Sequence, residues 1–193
     1  MSELFFADGP GPGAGGETRA LEPGLPALTL DEAKEWLRIT TASEDATIAA
    51  LVRAASDMCE AFIGQYLIER ACRSTVPADG RWQRLGAVPV RTIGAAERIA
   101  RDGGATAIGE KDYARDIAAD GDGWVRYAGG GAISMRVDYR AGLASDADSV
   151  PEALRQGLLR LVAHLYASRD GRGETTPPAA VIALWRPWRR MRL

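Results

Sequence analysis

The stretch 133–165, ISMRVDYRAGLASDADSVPEALRQGLLRLVAHL, changes its hydrophobic period midway, and that change decides the fold class. At its start Ile133, Met135, Val137 and Tyr139 alternate with polar residues, the two-residue period of a half-buried strand. At its end Leu154, Leu158, Leu161, Val162 and Leu165 recur at spacings of three and four, the stripe of a core helix. Between them Ser149-Val150-Pro151-Glu152 reads as a capping box with proline in the first turn, where its missing amide costs nothing. A strand handing over to a core helix predicts an α+β chain.

Upstream, Thr29-Leu30-Asp31-Glu32 spells another capping box and predicts a short helix carrying Leu30, Ala33, Trp36 and Leu37 on one face. Ser43 then caps a second helix whose first turn holds Glu44 and Asp45, the sign the helix dipole favours. Its stripe is Ile48, Leu51, Val52, Ala55, Met58, Cys59, Phe62 and Ile63, with Gly64 at the position of a left-handed cap. From about residue 66 to 141 the helical period is lost and β-prone segments alternate with Gly, Pro and Asp. Strands are expected over 67–76, 97–101, 113–117, 124–127 and 133–139. Downstream, after a loop over 171–175, Thr176-Pro177-Pro178 opens a short final helix through Val181, Ile182 and Trp185. Pro187 disfavours helix at the residue before it, so 188–193 should leave as a tail. Glycine and proline crowd residues 8–27 too densely to bury much surface, which predicts a flexible arm.

The expected organisation is therefore an arm over 1–27, a helical core of three to four helices over 28–65 and 143–186, a β-rich insert over 66–142 between the second and third helices, and a tail over 187–193. A chain of 193 residues with 46% hydrophobic and 26% charged residues can bury a core of this kind. Its formal net charge of -2 gives no broad attraction to nucleic acid or to an anionic membrane. Only Lys34 and Lys111 are lysines among 24 basic residues, an arginine skew in an Ala- and Gly-rich background that suggests a GC-rich bacterial genome. Cys59 and Cys72 form no ligand-spaced cluster, which suits a reducing cytoplasm and argues against a zinc site or disulfide framework. The acidic start Met1-Ser2-Glu3 and the lack of a long apolar run speak against a signal peptide and a membrane span.

No catalytic, cofactor or metal site is legible. The single histidine, His164, lies on the flank of an apolar stripe and reads as a packing residue, and neither GxSxG nor HExxH occurs. Gly129-Gly130-Gly131 lacks the Lys-Ser/Thr of a phosphate loop and precedes a strand, so it reads as a turn. Asp116, Asp120 and Asp122 resemble part of a calcium loop by spacing, but no glutamate stands at the bidentate position. The segment that departs from the background is Trp185, Arg186, Pro187, Trp188, Arg189, Arg190, Met191, Arg192 and Leu193, with two tryptophans, four arginines and no acid. Three readings fit it. Trp and Arg are enriched at interface hot spots, which suggests a partner protein. Arginine interleaved with tryptophan can also stack on single-stranded nucleic acid. In the third reading Trp185 closes the core and the arginines are merely solvated.

Taken together, Leu28 to Arg38, the acidic cap before Ile48-Ala49-Ala50-Leu51-Val52, Val137-Asp138-Tyr139-Arg140-Ala141-Gly142, Val150 to Gln156 and Pro177 to Val181 stand in an order that resembles the head-tail connector, or adaptor, family of long-tailed phages and gene transfer agents. The overlap runs from about residue 28 to 189. The resemblance implies a structural subunit, not an enzyme, needing no cofactor and made in the bacterial cytoplasm for the neck of a virion or phage-like particle. It implies a ring, dodecameric in the family, beneath the portal protein, with a tail-side connector or stopper as second partner, no membrane, and DNA passing through without sequence-specific binding. It also implies that the C-terminal segment grips the portal, through Trp185, Arg186, Trp188, Arg189, Arg190, Met191 and Arg192. A nucleic-acid-binding module using the same segment is the alternative. The Gly/Pro-rich first 27 residues depart from the family's short members.

Overall fold

In the computed structural model, which describes residues 16–169 and 176–190, the alternation of 133–139 becomes a strand, Ser134–Ala141. The described residues form two compact units, 16–22 with 70–141 and 23–69 with 142–190.

The first unit is built of β1 (Glu17–Ala20), β2 (Arg70–Pro77), β3 (Gln83–Arg84), β4 (Val90–Ile99), β5 (Ala105–Ala107), β6 (Tyr113–Ile117), β7 (Gly123–Tyr127) and β8 (Ser134–Ala141). They make a five-stranded sheet of order β1-β2-β8-β4-β5 and a three-stranded sheet of order β3-β7-β6, with antiparallel pairing throughout. Along β8, Met135, Val137, Tyr139 and Ala141 are buried, and along β2 Cys72, Ser74 and Val76 alternate inward in the same way. The outward residues pair by charge: Arg73, opposite Asp138 in the register, holds its carboxylate through two bonds of 2.5 and 2.7 Å, and Arg136 meets Glu97.

A buried polar chain ties β1 to this sheet. The Thr18 and Ser74 hydroxyls lie 2.7 Å apart, Ser74 and Tyr139 share a hydrogen bond of 2.9 Å, and the Ala87 amide donates to the Tyr139 oxygen at 2.9 Å. Burial pushes the Tyr139 phenol up, so it stays a neutral hydroxyl. Removing that oxygen would strand the Ala87 amide and leave Ser74 short of a partner, so Tyr139→Phe should cost about 1–3 kcal/mol. Chemical denaturation of the two proteins checks this.

The second unit holds α1 (Leu30–Leu37), α2 (Asp45–Ile63), α3 (Glu152–Ala167) and α4 (Ala179–Trp185). Ile48, Val52, Ala55, Cys59 and Ile63 of α2 meet Leu154, Leu158, Leu161 and Val162 of α3 in one hydrophobic cluster with Ala27, Leu28, Ala33 and Val181. Gly64 ends α2 at φ 70, the left-handed conformation glycine adopts without a Cβ clash.

The Thr29 capping box forms as expected: the Glu32 amide donates to the Thr29 hydroxyl oxygen at 3.2 Å, and the Thr29 amide and hydroxyl each donate to the Glu32 carboxylate at 2.8 Å. Arg155 of α3 pairs with the same carboxylate. Burial works to raise the Glu32 carboxyl, but the Thr29 bonds and the Arg155 charge prevail and hold it below its ordinary value. A lowered folded value contributes stability above the unfolded value, lost as pH falls through the folded one. Glu32→Gln should therefore cost about 1 kcal/mol at neutral pH and weaken the loss of stability on acidification. Thermal melts between pH 3 and 7 measure both effects.

Several sequence expectations are corrected. The arm expected over 1–27 gives way, within the described residues, to β1, and Ala27 is buried; residues 1–15 lie outside the described residues. Ser43 does not cap α2: its hydroxyl bonds Thr41, while Glu44 takes the N-cap position and its carboxylate receives Tyr166 of α3. The box at Ser149 does not form either, because the Asp146 carboxylate accepts the Ser149 amide and α3 starts after Pro151. β4 begins at Val90, earlier than the strand expected at 97, and runs through two bulges against β8. Trp36, expected on the packed face of α1, is 43% exposed. The loop expected over 171–175 lies outside the described residues.

Candidate docking face

The C-terminal segment is anchored from its first aromatic residue. α4 packs through Val181 and Trp185, and Trp185 is 1% exposed. Its indole lies over Gly157 of α3, where an added Cβ would come within 2.1 Å of the indole nitrogen. The indole N–H points to the Leu154 carbonyl at 3.4 Å, and the Phe62 ring stands 6.0 Å away, tilted by 50°. Trp185 is thus a core residue of the helical unit, a correction to its expected place among the docking residues.

Beyond it the chain makes a turn of 3-10 helix over Arg186–Trp188. Pro187 stands in the first turn, where no amide donor is needed, so it continues the path instead of ending it. The chain then folds back on the end of α2. The Arg190 amide donates to the Ile63 carbonyl at 2.9 Å, and the Gln65 side-chain amide donates to the Trp188 carbonyl at 2.6 Å. The first of these bonds satisfies one of the carbonyls a helix leaves unpaired at its C-terminus. The Arg189 guanidinium sits 5.7 Å from the centre of the Phe62 ring, close to the same negative helix end. The expected free tail is therefore docked on its own core as far as Arg190, because α2 offers it unpaired carbonyls, a ring and a dipole of the right sign.

Trp188 is half-buried against the core cluster, Arg190 is half-buried, and Arg186, Pro187 and Arg189 are exposed. Met191 and Arg192 lie outside the described residues. The exposed residues here are thus cationic, Arg186 and Arg189 standing before and after the half-buried Trp188 in the chain, on a backbone held at two points.

His164 is half-buried on α3 and its carbonyl accepts the Ser168 amide. Asp122 pairs with Arg84 at 2.7 Å and Asp120 accepts the Asp122 amide, while Asp116 stands exposed in β6, so the three carboxylates of the calcium-like spacing are divided between a turn and a strand. Gly129 to Gly131 form the turn between β7 and β8, closed by the Tyr127 hydroxyl on the Gly130 carbonyl at 3.1 Å. Burial pushes the Cys59 thiol up, and Cys72 to about 11, which keeps both protonated. Among the described residues no three His, Cys, Asp or Glu side chains gather as a metal site, and no helix is long and apolar enough to cross a membrane.

Sequence reasoning missed Trp36 as an exposed aromatic. The signal was present. At about 100° per residue, Leu30, Ala33 and Leu37 fall within one arc, whereas Trp36 lies about 60° beyond Ala33.

Comparison with known proteins bears on the whole arrangement. The family model described as head completion protein matches residues 27–176. A chain in the neck of an empty gene transfer agent particle, determined with C6 symmetry, superposes with a TM-score of 0.74 at 23% identity over 92% of this chain and 97% of that one. A chain in the virion of a native gene transfer agent particle gives 0.73 at 25% identity over 91% and 96%. A chain in the neck of a native particle with C12 symmetry gives 0.71 at 24% identity over 92% and 97%. No curated protein matches.

Proposed function

The chain belongs to the head completion protein family, and from that membership we propose that it joins the DNA-filled head of a phage-like particle to its tail as a structural connector in the neck. It acts there as one subunit of an oligomeric ring, consistent with the symmetric necks in which chains of this fold stand. Twelve copies seated under the portal, with a tail-side connector or stopper below and DNA passing through an open channel, complete the reading. It has no enzymatic role. Its energetics come from repeated heterologous contacts, which leave no adhesive face open once the ring closes.

The observation that carries the portal contact is the cationic surface of Arg186 and Arg189 beside Trp188, held in place by the Ile63 and Gln65 bonds. A held backbone loses less entropy on docking than a free tail does. Electron microscopy of purified necks tests the reading: it requires ring density for this chain beneath the portal, with residues 186–193 reaching the portal. A neck built without this chain would overturn it. The alternative, a nucleic-acid-binding module, draws no support from the family or from the fold.

A further inference from the structure

The charges of the two units differ in one respect. On the outer face of the five-stranded sheet, Arg73, Arg136 and Arg140 are paired with Asp138, Glu97 and Glu22. On α1, Glu32 and Lys34 are likewise engaged, by Arg155 and Asp45. The rest of the α1 surface is different. Asp31 and Glu35, one helical turn apart and both exposed, have no side-chain partner among the described residues, and the 43% exposed Trp36 has no ring or cation over it. Arg38, exposed at the C-cap, bounds this arc. An exposed tryptophan beside unpaired carboxylates is the kind of surface a guanidinium fits: its plane stacks on indole and its fork matches a carboxylate.

Two exposed arginines of the same unit, Arg53 on α2 and Arg160 on α3, likewise have no partner among the described residues. We propose that the α1 face of Asp31, Glu35 and Trp36 docks the arginine-bearing α2/α3 surface of a neighbouring copy of this chain. The inference rests on the ring reading above and assigns its subunit contact. A heterologous contact joins two different patches of one molecule, and the Asp31 and Glu35 carboxylates on α1 set against Arg160 on α3 and Arg53 on α2, the latter one turn from the exposed Asp57, supply a pair of opposite sign. The chain's own first 15 residues are the competing occupant. They contain Glu3 and Asp8 and no Lys or Arg, the wrong sign for a face already carrying two carboxylates.

The test uses full-length chain in assembled particles. With Trp36→benzoylphenylalanine, irradiation should cross-link one copy to another, the bond mapping to peptides containing Arg53 or Arg160. Glu35→Arg and Arg160→Glu should each weaken association between copies about tenfold or more, and the two changes combined in one chain should restore much of it. Cross-links to portal, to a tail-side protein or to residues 1–15 would overturn the proposal, as would no cross-link in necks that contain the chain. Absence of the chain from the necks would instead defeat the connector reading, and this inference with it.

Discussion

Trp185→Ala should unfold or nearly unfold the helical unit, with an expected loss of about 3–5 kcal/mol, the range for emptying a buried aromatic site. Total stabilities of domains run to only about 5–15 kcal/mol, so a loss of this size removes a large share of the margin. The indole touches three elements at once: Gly157 and the Leu154 carbonyl on α3, Phe62 on α2, and its own α4. The partial collapse that softens other cavities is hindered here, because Gly157 has no side chain to move into the space. The converse variant tests the same fit from the other side. Gly157→Ala places a Cβ 2.1 Å from the indole nitrogen, closer than van der Waals contact allows, so α4 must shift. Circular dichroism melts of both variants read the effect. A Trp185→Ala protein melting within a few degrees of wild type would show that α4 contributes little to the core. By the same logic, truncation after Leu184 should yield an unfolded chain.

The parts of the fold that were legible in the sequence are those whose signal is local and repeated. The α2 stripe is one: eight apolar residues at spacings of three and four, closed by a left-handed glycine, specify both the helix and its buried face. The β8 alternation is another. The parts that were not legible depend on partners distant in the chain. β1 hides in a Gly- and Pro-rich stretch because its extended form is held by pairing with residues 72–75 and by the Thr18–Ser74 contact. Ser43 and Ser149 have the side chain of a cap, but Thr41 and Asp146 compete for their groups. The candidate site shows the same division. Composition marked Trp185 to Leu193 as unusual, yet whether each tryptophan faces in or out turns on Gly157 of α3, on Ile63 at the end of α2 and on Gln65 just after it, far back along the chain.

Removal of residues 191–193 should leave a folded protein that joins heads to tails less well. A chain ending at Arg190 keeps the Arg190–Ile63 and Gln65–Trp188 bonds and the whole of the described core, so its melting temperature should match wild type. On the proposed portal contact, binding weakens in this chain without any loss of fold. Within the described surface, the aromatic residue should outweigh the charges. An exposed arginine pair is commonly worth under about 1 kcal/mol after screening, so Arg186→Ala/Arg189→Ala should reduce portal capture only several-fold, and high salt should reduce the wild type to a similar degree. Tryptophan removes a large apolar area from water and dominates interfaces where it is central, so Trp188→Ala should reduce capture about 30-fold or more. Because Trp188 also packs half-buried on its own core, Trp188→Leu is the needed companion. It retains apolar volume against the core cluster while removing the indole, and it should keep the melting temperature yet lose most of the capture. Accumulation of DNA-filled heads lacking tails is the matching result in particles. If the arginine variant abolishes capture, Trp188→Leu retains it and wild-type binding collapses with salt, the contact is electrostatic and the ranking of aromatic over charge is wrong.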